Sequence, residues 1–370
     1  MNHQDLLYRI SLALAKGIGY ITAGQIVNTL EDLSVLFENK QQCKAEFPLI
    51  PPELIDAVHH PDVRRKAEAE IDFIAKEGIT PFFIKDENYP FRLRECIDAP
   101  ILLYMKGNAD LNARKIVSIV GTRNATDYGR EMTDILVRDI KKNSPDTLIV
   151  SGLAYGIDIQ AHKSSLKNNL ATVGVLAHGL DLIYPSIHRK IASEMMENGG
   201  LISDFVSETN PDRQNFLKRN RIIAGMADCT VVVESAIKGG ALSTATIAGS
   251  YNRDVFAYPG KVSDTYSSGC NKLIKMNKAA LITCADDLFR EMGWDKEKMK
   301  EKTPVQRMLF PNLSNDEQEI IHFLRQSGQI QLNVLGMKSG FSSSRLSALL
   351  FELEMKGIIR CMPGGIYELI

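Results

Sequence analysis

No excess of either charge marks this chain: 44 lysines and arginines stand against 45 aspartates and glutamates in 370 residues, a formal charge of −1. A protein that holds polyanions through its overall charge is thereby excluded, and any nucleic-acid site must be a local patch. Long apolar runs are missing as well. No stretch approaches the ~18 to 20 residues that span a bilayer, so no membrane is expected as a partner. The opening MNHQDLLYRISLALAKGIG lacks the basic and apolar regions of a secretory leader. The six cysteines (Cys43, Cys96, Cys229, Cys270, Cys284, Cys361) form no CxxC pair, and of the 7 histidines only His59 and His60 are adjacent. This argues against a zinc site or disulfide framework and for cysteines that serve as small core side chains. The expectation is a cytoplasmic protein without a metal or organic cofactor. Two nucleotide fingerprints are absent too. No GxGxxG follows an apolar run, and Gly260-Lys261 is followed by Val262 with Val255 five positions before, so no P-loop exists.

What is present is ordinary globular composition, 44% hydrophobic and 24% charged, at a length that suits two or three domains. The pattern divides the chain. Residues 1–78 read as short helices, with Leu6, Leu7, Ile10 and Leu14 at helical spacing and Pro48, Pro51 and Pro52 as punctuation. Lys16-Gly17-Ile18-Gly19-Tyr20 breaks the first helix, and either a tight bundle turn or a helix-hairpin-helix turn with amides open to phosphate satisfies it. Residues 61 to 77 read as a further amphipathic helix. From 79 to 293 the period changes. Apolar runs at Lys115–Val120, Thr147–Val150, Ala171–Ala177, Leu201–Phe205, Cys229–Val233, Asp254–Tyr258 and Ala279–Ile282 alternate with helical stretches. Continuous apolar strands joined by crossover helices predict an α/β, doubly wound, Rossmann-like parallel sheet covered on both faces. Residues 294–312 are charged, contain two prolines and read as a linker. Residues 313–370 predict three helices (314 to 326, 331 to 338, 342 to 356) closed by a Gly-turned hairpin, a winged helix. Six acidic residues against five basic ones in that domain favour a protein contact over duplex reading.

Ligands of a doubly wound sheet sit beyond the carboxyl ends of its strands. Three of those ends are rich in small residues: Gly121-Thr122-Arg123-Asn124, Ser151-Gly152-Leu153-Ala154-Tyr155-Gly156, and Lys238-Gly239-Gly240-Ala241-Leu242-Ser243-Thr244. Small residues admit a ligand to the backbone, where exposed N–H groups and the helix dipole favour an anion. A further signal is Arg213-Gln214-Asn215-Phe216-Leu217-Lys218-Arg219-Asn220-Arg221. Arginines interleaved with an aromatic suit a single strand of nucleic acid, with guanidiniums on phosphates and a ring under a base. A solvated helix start with Phe216 in the core satisfies the same composition. His162 follows Asp158 by four residues, a spacing that pairs them on one helix face to orient the loop. No triad or paired carboxylates stand out.

Taken in order, YPFRLRECIDAPILLYMKG (89 to 107), IVGTRNATDYG (119 to 129), VSGLAYGIDIQAH (150 to 162), GLDLIYP (179 to 185), FLKRNRIIAG (216 to 225), VVVESAIKGGALSTA (231 to 245), YPG (258 to 260) and SGCNKLI (268 to 274) resemble the DNA-processing protein A (DprA/Smf) family across the whole central region. The flanks fit that family's sterile-alpha-motif or hairpin-like N-terminal domain and its winged helix. The resemblance implies a non-enzymatic protein that binds single-stranded DNA, protects incoming strands during natural transformation and loads a RecA-type recombinase. It also implies a homodimer formed through the Rossmann-like domain. Carried over by position, Arg123 holds a phosphate, Arg213 matches a basic residue and Phe216 the stacking aromatic. Lys218, Arg219, Asn220 and Arg221 then support the groove. Gly121, Thr122, Ser151, Gly152, Gly156, Gly239, Gly240, Ser243 and Thr244 provide close-approach backbone and small side chains. Cys270, Asp204 and Met276-Asn277-Lys278 depart from the family pattern.

Two other functions compete. The domain is distantly similar to lysine-decarboxylase-like nucleotide phosphoribohydrolases, whose PGG-x-GT segment leads into catalytic glutamates. Here Gly239–Thr244 runs into Ala245-Thr246-Ile247-Ala248, without the carboxylate that an oxocarbenium ion needs. A duplex-binding winged-helix regulator with a sensor domain is disfavoured by the acidic C-terminal domain.

Overall fold

Branched apolar side chains dominate the strands because both faces of the sheet are covered. Ile116–Val120 (β3) is buried at all five positions. The computed structural model describes residues 3–30, 32–38, 40–41, 43, 52–294, 313–362 and 364–370. Its main sheet has nine strands in the order β1-β2-β6-β5-β4-β3-β7-β8-β9. These are Thr80–Phe83 (β1), Leu102–Gly107 (β2), β3, Leu148–Gly152 (β4), Thr172–Val175 (β5), Gly199–Ser203 (β6), Cys229–Val232 (β7), Asp254–Ala257 (β8) and Ala280–Leu281 (β9). The seven strands from β6 to β9 are parallel, and β2 runs antiparallel to both β1 and β6. From β3 the chain first winds outward through β4, β5 and β6. It then returns to β7 on the other side of β3, with Val120 opposite Val232.

Helices Asp127–Asn143 and Ile157–Lys167 cover one face, where Val117, Ile119, Val137 and Val231 share a core. Arg213–Met226 and Gly240–Ser250 cover the other, with Val120, Val150, Ile222 and Ala245. Arg92, on the short Phe91–Arg94 helix, pins the incoming chain to the sheet. Its buried guanidinium meets Asp228 at 2.6 Å, and the second Asp228 oxygen accepts from the Ile116 amide at 2.7 Å.

The N-terminal segment folds as expected into short helices: His3–Leu14, Tyr20–Thr29, Ser34–Glu38, Pro52–Val58 and Pro61–Glu77. Pro48 and Pro51 lie outside the described residues. The last helix is capped by His60 and closed by Gly78 in the left-handed region. Beyond residue 312 come helices Asn315–Ser327, Leu332–Ser339 and Ser343–Met355 with strands Gln329–Gln331 (β10), Ile359–Met362 (β11) and Ile366–Leu369 (β12). Strand β10 pairs with β12, adding a third strand to the expected hairpin. A reciprocal cap between Ser314 and Glu317 starts this domain. Residues 295–312 of the expected linker lie outside the described residues. Trp294, read as its first residue, instead packs edge-on to Phe289 at 5.5 Å in the sheet's core. Of the cysteines, four are buried as expected, but Cys284 is half-buried and Cys361 exposed.

Candidate functional site

Strands β3 and β7 are neighbours whose onward chains leave in opposite directions, which opens a crevice beyond their carboxyl ends. A cavity of about 720 Å³ fills it. Its walls are the Val120–Arg123 loop after β3, the turn after β4, the Lys238–Thr244 segment after β7, and one side of the Arg213–Met226 helix. The glycines are there because their neighbours leave no room for a Cβ. A Cβ on Gly121 would strike the Ile157 side chain, and Gly156 has φ +79° with the Thr122 and Arg123 backbone against it. The loops are tied together: the Thr122 amide donates to the Glu234 carbonyl (2.8 Å), and the Ile157 amide to Thr122 (3.2 Å). The Glu234 carboxylate accepts from the Thr126 amide at 2.9 Å and hydroxyl at 2.5 Å. The Gly240–Ser250 helix begins at Gly239 without a side-chain cap, so the Gly240 and Ala241 amides remain available to a ligand, while the Leu242 amide donates to the Gly239 carbonyl at 3.2 Å.

Four cationic side chains, Arg123, Arg213, Arg219 and Lys238, line the cavity. Among the described residues that do so, Asp158 is the single carboxylate. Arg219 is 4% exposed and donates to the Val175 carbonyl, and burial pushes its guanidinium down to about 10. Burial raises the Asp158 carboxyl, an effect opposed by the nearby Arg219 and Arg123 charges. Asp158 thus neutralises the cation at the back, and the exposed Arg123 stands in front. Phe216 is half-buried beside both arginines. The guanidinium carbons of Arg123 and Arg219 lie 5.0 and 5.8 Å from its ring centre, and the Tyr184 ring is 6.0 Å away at 55°. Asp212 caps the helix, accepting from the Asn215 amide at 2.8 Å, and so orders the turn bearing Arg213 and Phe216. Such an arrangement can hold an anion against open amides and guanidiniums while a planar ring lies on Phe216.

The crevice gathers Gly121, Thr122, Arg123, Arg213, Phe216, Arg219, Asn220, Gly239, Gly240, Ser243 and Thr244. Five other candidates and one expected pair are placed differently, Gly156 among them, packed against the Thr122 and Arg123 backbone rather than lining the cavity. Ser151 is buried in β4 and donates to the Ile119 carbonyl at 2.6 Å. Gly152 sits behind the wall, where a Cβ would meet both Arg219 and Asp158. Lys218 is exposed on the opposite side of the helix, beside Tyr20 and Asp204. Arg221 is buried, paired with Asp204 at 2.5 Å, with its guanidinium 3.5 Å from the centre of the Tyr20 ring. It ties the N-terminal helices to the sheet. His162 does not orient the loop through Asp158. Its Nε2 lies 2.7 Å from the Gly152 carbonyl and its Nδ1 2.7 Å from the Thr172 hydroxyl. The sequence reading missed Tyr184, and it missed the charge of Lys238 although that residue opens a quoted motif.

Comparison with known proteins agrees with this fold. The family model described as DNA recombination-mediator protein A matches residues 80–293, and the DprA winged helix domain matches 307–365. The DNA processing protein DprA of Bacillus subtilis (strain 168) is 38% identical over 218 residues, 59% of this chain and 72% of that protein. Protein Smf of Escherichia coli (strain K12) is 31% identical over 286 residues, 76% of this chain and 75% of its own length. The X-ray structure of DNA processing protein A from Streptococcus pneumoniae superposes with a TM-score of 0.58 at 29% identity, covering 74% of this chain and 98% of that one. A Helicobacter pylori DNA processing protein A, whose structure is described for its single-stranded DNA binding mode, gives 0.53 at 28% identity, covering 59% and 96%. Among the described residues no helix is long and apolar enough to cross a membrane.

Proposed function

Because this chain belongs to the DprA/Smf family of DNA-processing proteins, we propose that its crevice binds single-stranded DNA. The observation that carries the reading is the half-buried Phe216 ring, 5.0 and 5.8 Å from two guanidiniums, lining a cavity with open helix amides. In this mechanism a phosphate lies on Arg123 and the Gly240 amides, Arg213 and Lys238 hold its neighbours, and a base stacks on Phe216. Arg219, its charge offset by Asp158, forms the inner wall. A duplex cannot present its bases to a ring in this way, so the site selects unpaired strands. Protection of incoming strands during natural transformation, loading of a RecA-type recombinase and homodimerisation through the Rossmann-like domain complete the proposal on the strength of family membership. Two joined sites would add avidity. No bond is made or broken in this account.

The test is fluorescence anisotropy of a labelled poly-dT strand at several salt concentrations, with matched duplex as competitor. If about six phosphates are neutralised at ~0.7 each, log affinity falls against log salt with a slope near −4. Arg123→Glu is expected to abolish most binding while the protein stays folded, since this side chain is exposed. Equal affinity for duplex, or near-wild-type affinity in folded Arg123→Glu protein, would overturn the reading.

A further inference from the structure

In the C-terminal domain one helix carries two apolar faces. Ser343–Met355 turns Leu346, Leu349, Leu350 and Leu353 into the domain core. On its other side Phe351 and Met355 are 64% and 73% exposed. Scattered apolar residues on a surface need no explanation, but these belong to a pattern. Exposed Ser344, Ala348, Phe351 and Met355 follow one another at steps of four, three and four, the spacing of a coiled-coil seam. Arg345 and Glu352, seven residues apart, line one flank of that seam, and Ser347 and Glu354 line the other, all of them exposed. In a winged helix this is the helix that enters a major groove. Here it suits a duplex badly: two carboxylates flank the face, and the Arg345 guanidinium is engaged by Asp316 at 2.7 Å.

We propose that this face binds the same face of a second copy of the chain, helix against antiparallel helix about a two-fold axis. With the axis between positions 349 and 350, each Phe351 ring lies over the partner's Ala348, whose methyl leaves room for it, and Met355 lies over the partner's Ser344. In an antiparallel pair a flank faces its own equivalent, so Arg345 meets the partner's Glu352, and the symmetry makes that pair twice. A parallel pair would set Ser347 opposite Glu352 and leave Arg345 without a facing carboxylate, so the charges fix the orientation. The helix has 13 residues and is about 20 Å long. One such pair buries less than the ~1,600 Å² of a standard interface. The joint is therefore weak alone and gains from any other contact that holds two copies together.

The test is sedimentation velocity of the full-length protein from nanomolar to high-micromolar concentration, with melting temperature as the control for folding. The substituted side chains are exposed, so the domain core is untouched. Wild-type protein is expected to show an association step that Phe351→Glu weakens roughly tenfold or more. Arg345→Glu alone sets carboxylate against carboxylate, and Glu352→Arg alone sets guanidinium against guanidinium. Each is expected to weaken the step severalfold. An equimolar mixture of those two variants brings opposite charges together again on both sides of the axis and is expected to restore it. Loss in the single variants without recovery in the mixture would show that the face meets something other than its own copy, which overturns the proposal. Unchanged association in Phe351→Glu overturns it too, whether or not that variant loses affinity for duplex DNA. The crevice takes no part in this joint, so failure of either reading leaves the other standing.

Discussion

Phe216 is the residue on which single-strand affinity should depend most simply. Its ring is half-buried and meets two guanidiniums and Tyr184. Phe216→Ala should therefore spare the fold and remove the stacking surface, worth ~1 to 3 kcal/mol or roughly 5- to 150-fold in affinity. Anisotropy of a dT strand measures it. His162 makes the opposite kind of prediction, for stability. Burial holds its ring down, to about 4 from 6.5. The neutral tautomer that donates from Nε2 to the Gly152 carbonyl and accepts at Nδ1 from Thr172 satisfies both ring contacts, with the Thr172 proton shared between Nδ1 at 2.7 Å and the Ile149 carbonyl at 3.1 Å. A histidine lowered on folding stabilises fully above its unfolded value, and that contribution is lost as pH falls from about 6.5 toward 4, roughly 3 kcal/mol in all. Melting temperature followed from pH 7.5 to 4.5 should drop over that window, with a shallower slope in His162→Gln. These roles were only partly legible in the sequence. Positions 213, 216, 217, 220 and 223 recur at steps of three and four, and all five face the crevice. Lys218 and Arg221 fall off that stripe, yet composition alone counted them with it. The partner of Arg221, Asp204, sits 17 positions away on another element, where no local pattern reveals it.

At the scale of the element, the Arg213–Met226 helix depends on its first turn. Asp212→Ala removes the cap and should cost about 1 kcal/mol of stability, read as a small fall in melting temperature. It should also weaken dT binding severalfold, because Arg213 and Phe216 then sit on a fraying turn. Unchanged affinity would show that the turn is held by the strand itself. The parallel strands were readable because both faces are buried, so Ile116–Val120 and Cys229–Val232 appear as uninterrupted apolar runs. Strands β1 and β10, of four and three residues, carry no such signal. Only antiparallel partners far along the chain make them strands: Phe82 pairs with Leu103, and Ile330 with Tyr367. In the N-terminal helices the Gly-Ile-Gly break was plain, but which surface it faces was not.

Across the whole molecule, the joint between the N-terminal helices and the sheet is electrostatic as well as apolar. Arg221 and Asp204 form its buried pair. Glu70, whose carboxyl burial pushes up, accepts from the Ser207 amide at 2.8 Å and hydroxyl at 2.5 Å. Arg221→Gln strands the Asp204 charge in the interior and should destabilise by ~3 to 5 kcal/mol. Affinity per folded molecule should stay near wild type, the reverse of the Arg123→Glu expectation. Thermal melts alongside anisotropy distinguish the two. The flanks of the sheet carry a different consequence. One rim is β9, two exposed residues long, and the other is β1, where Pro81 has no amide hydrogen to offer. Neither rim provides a template on which another chain could continue the ladder, a safeguard against edge-to-edge aggregation. Through this sheet, contact between copies would therefore fall to its helices and loops rather than to a shared ladder.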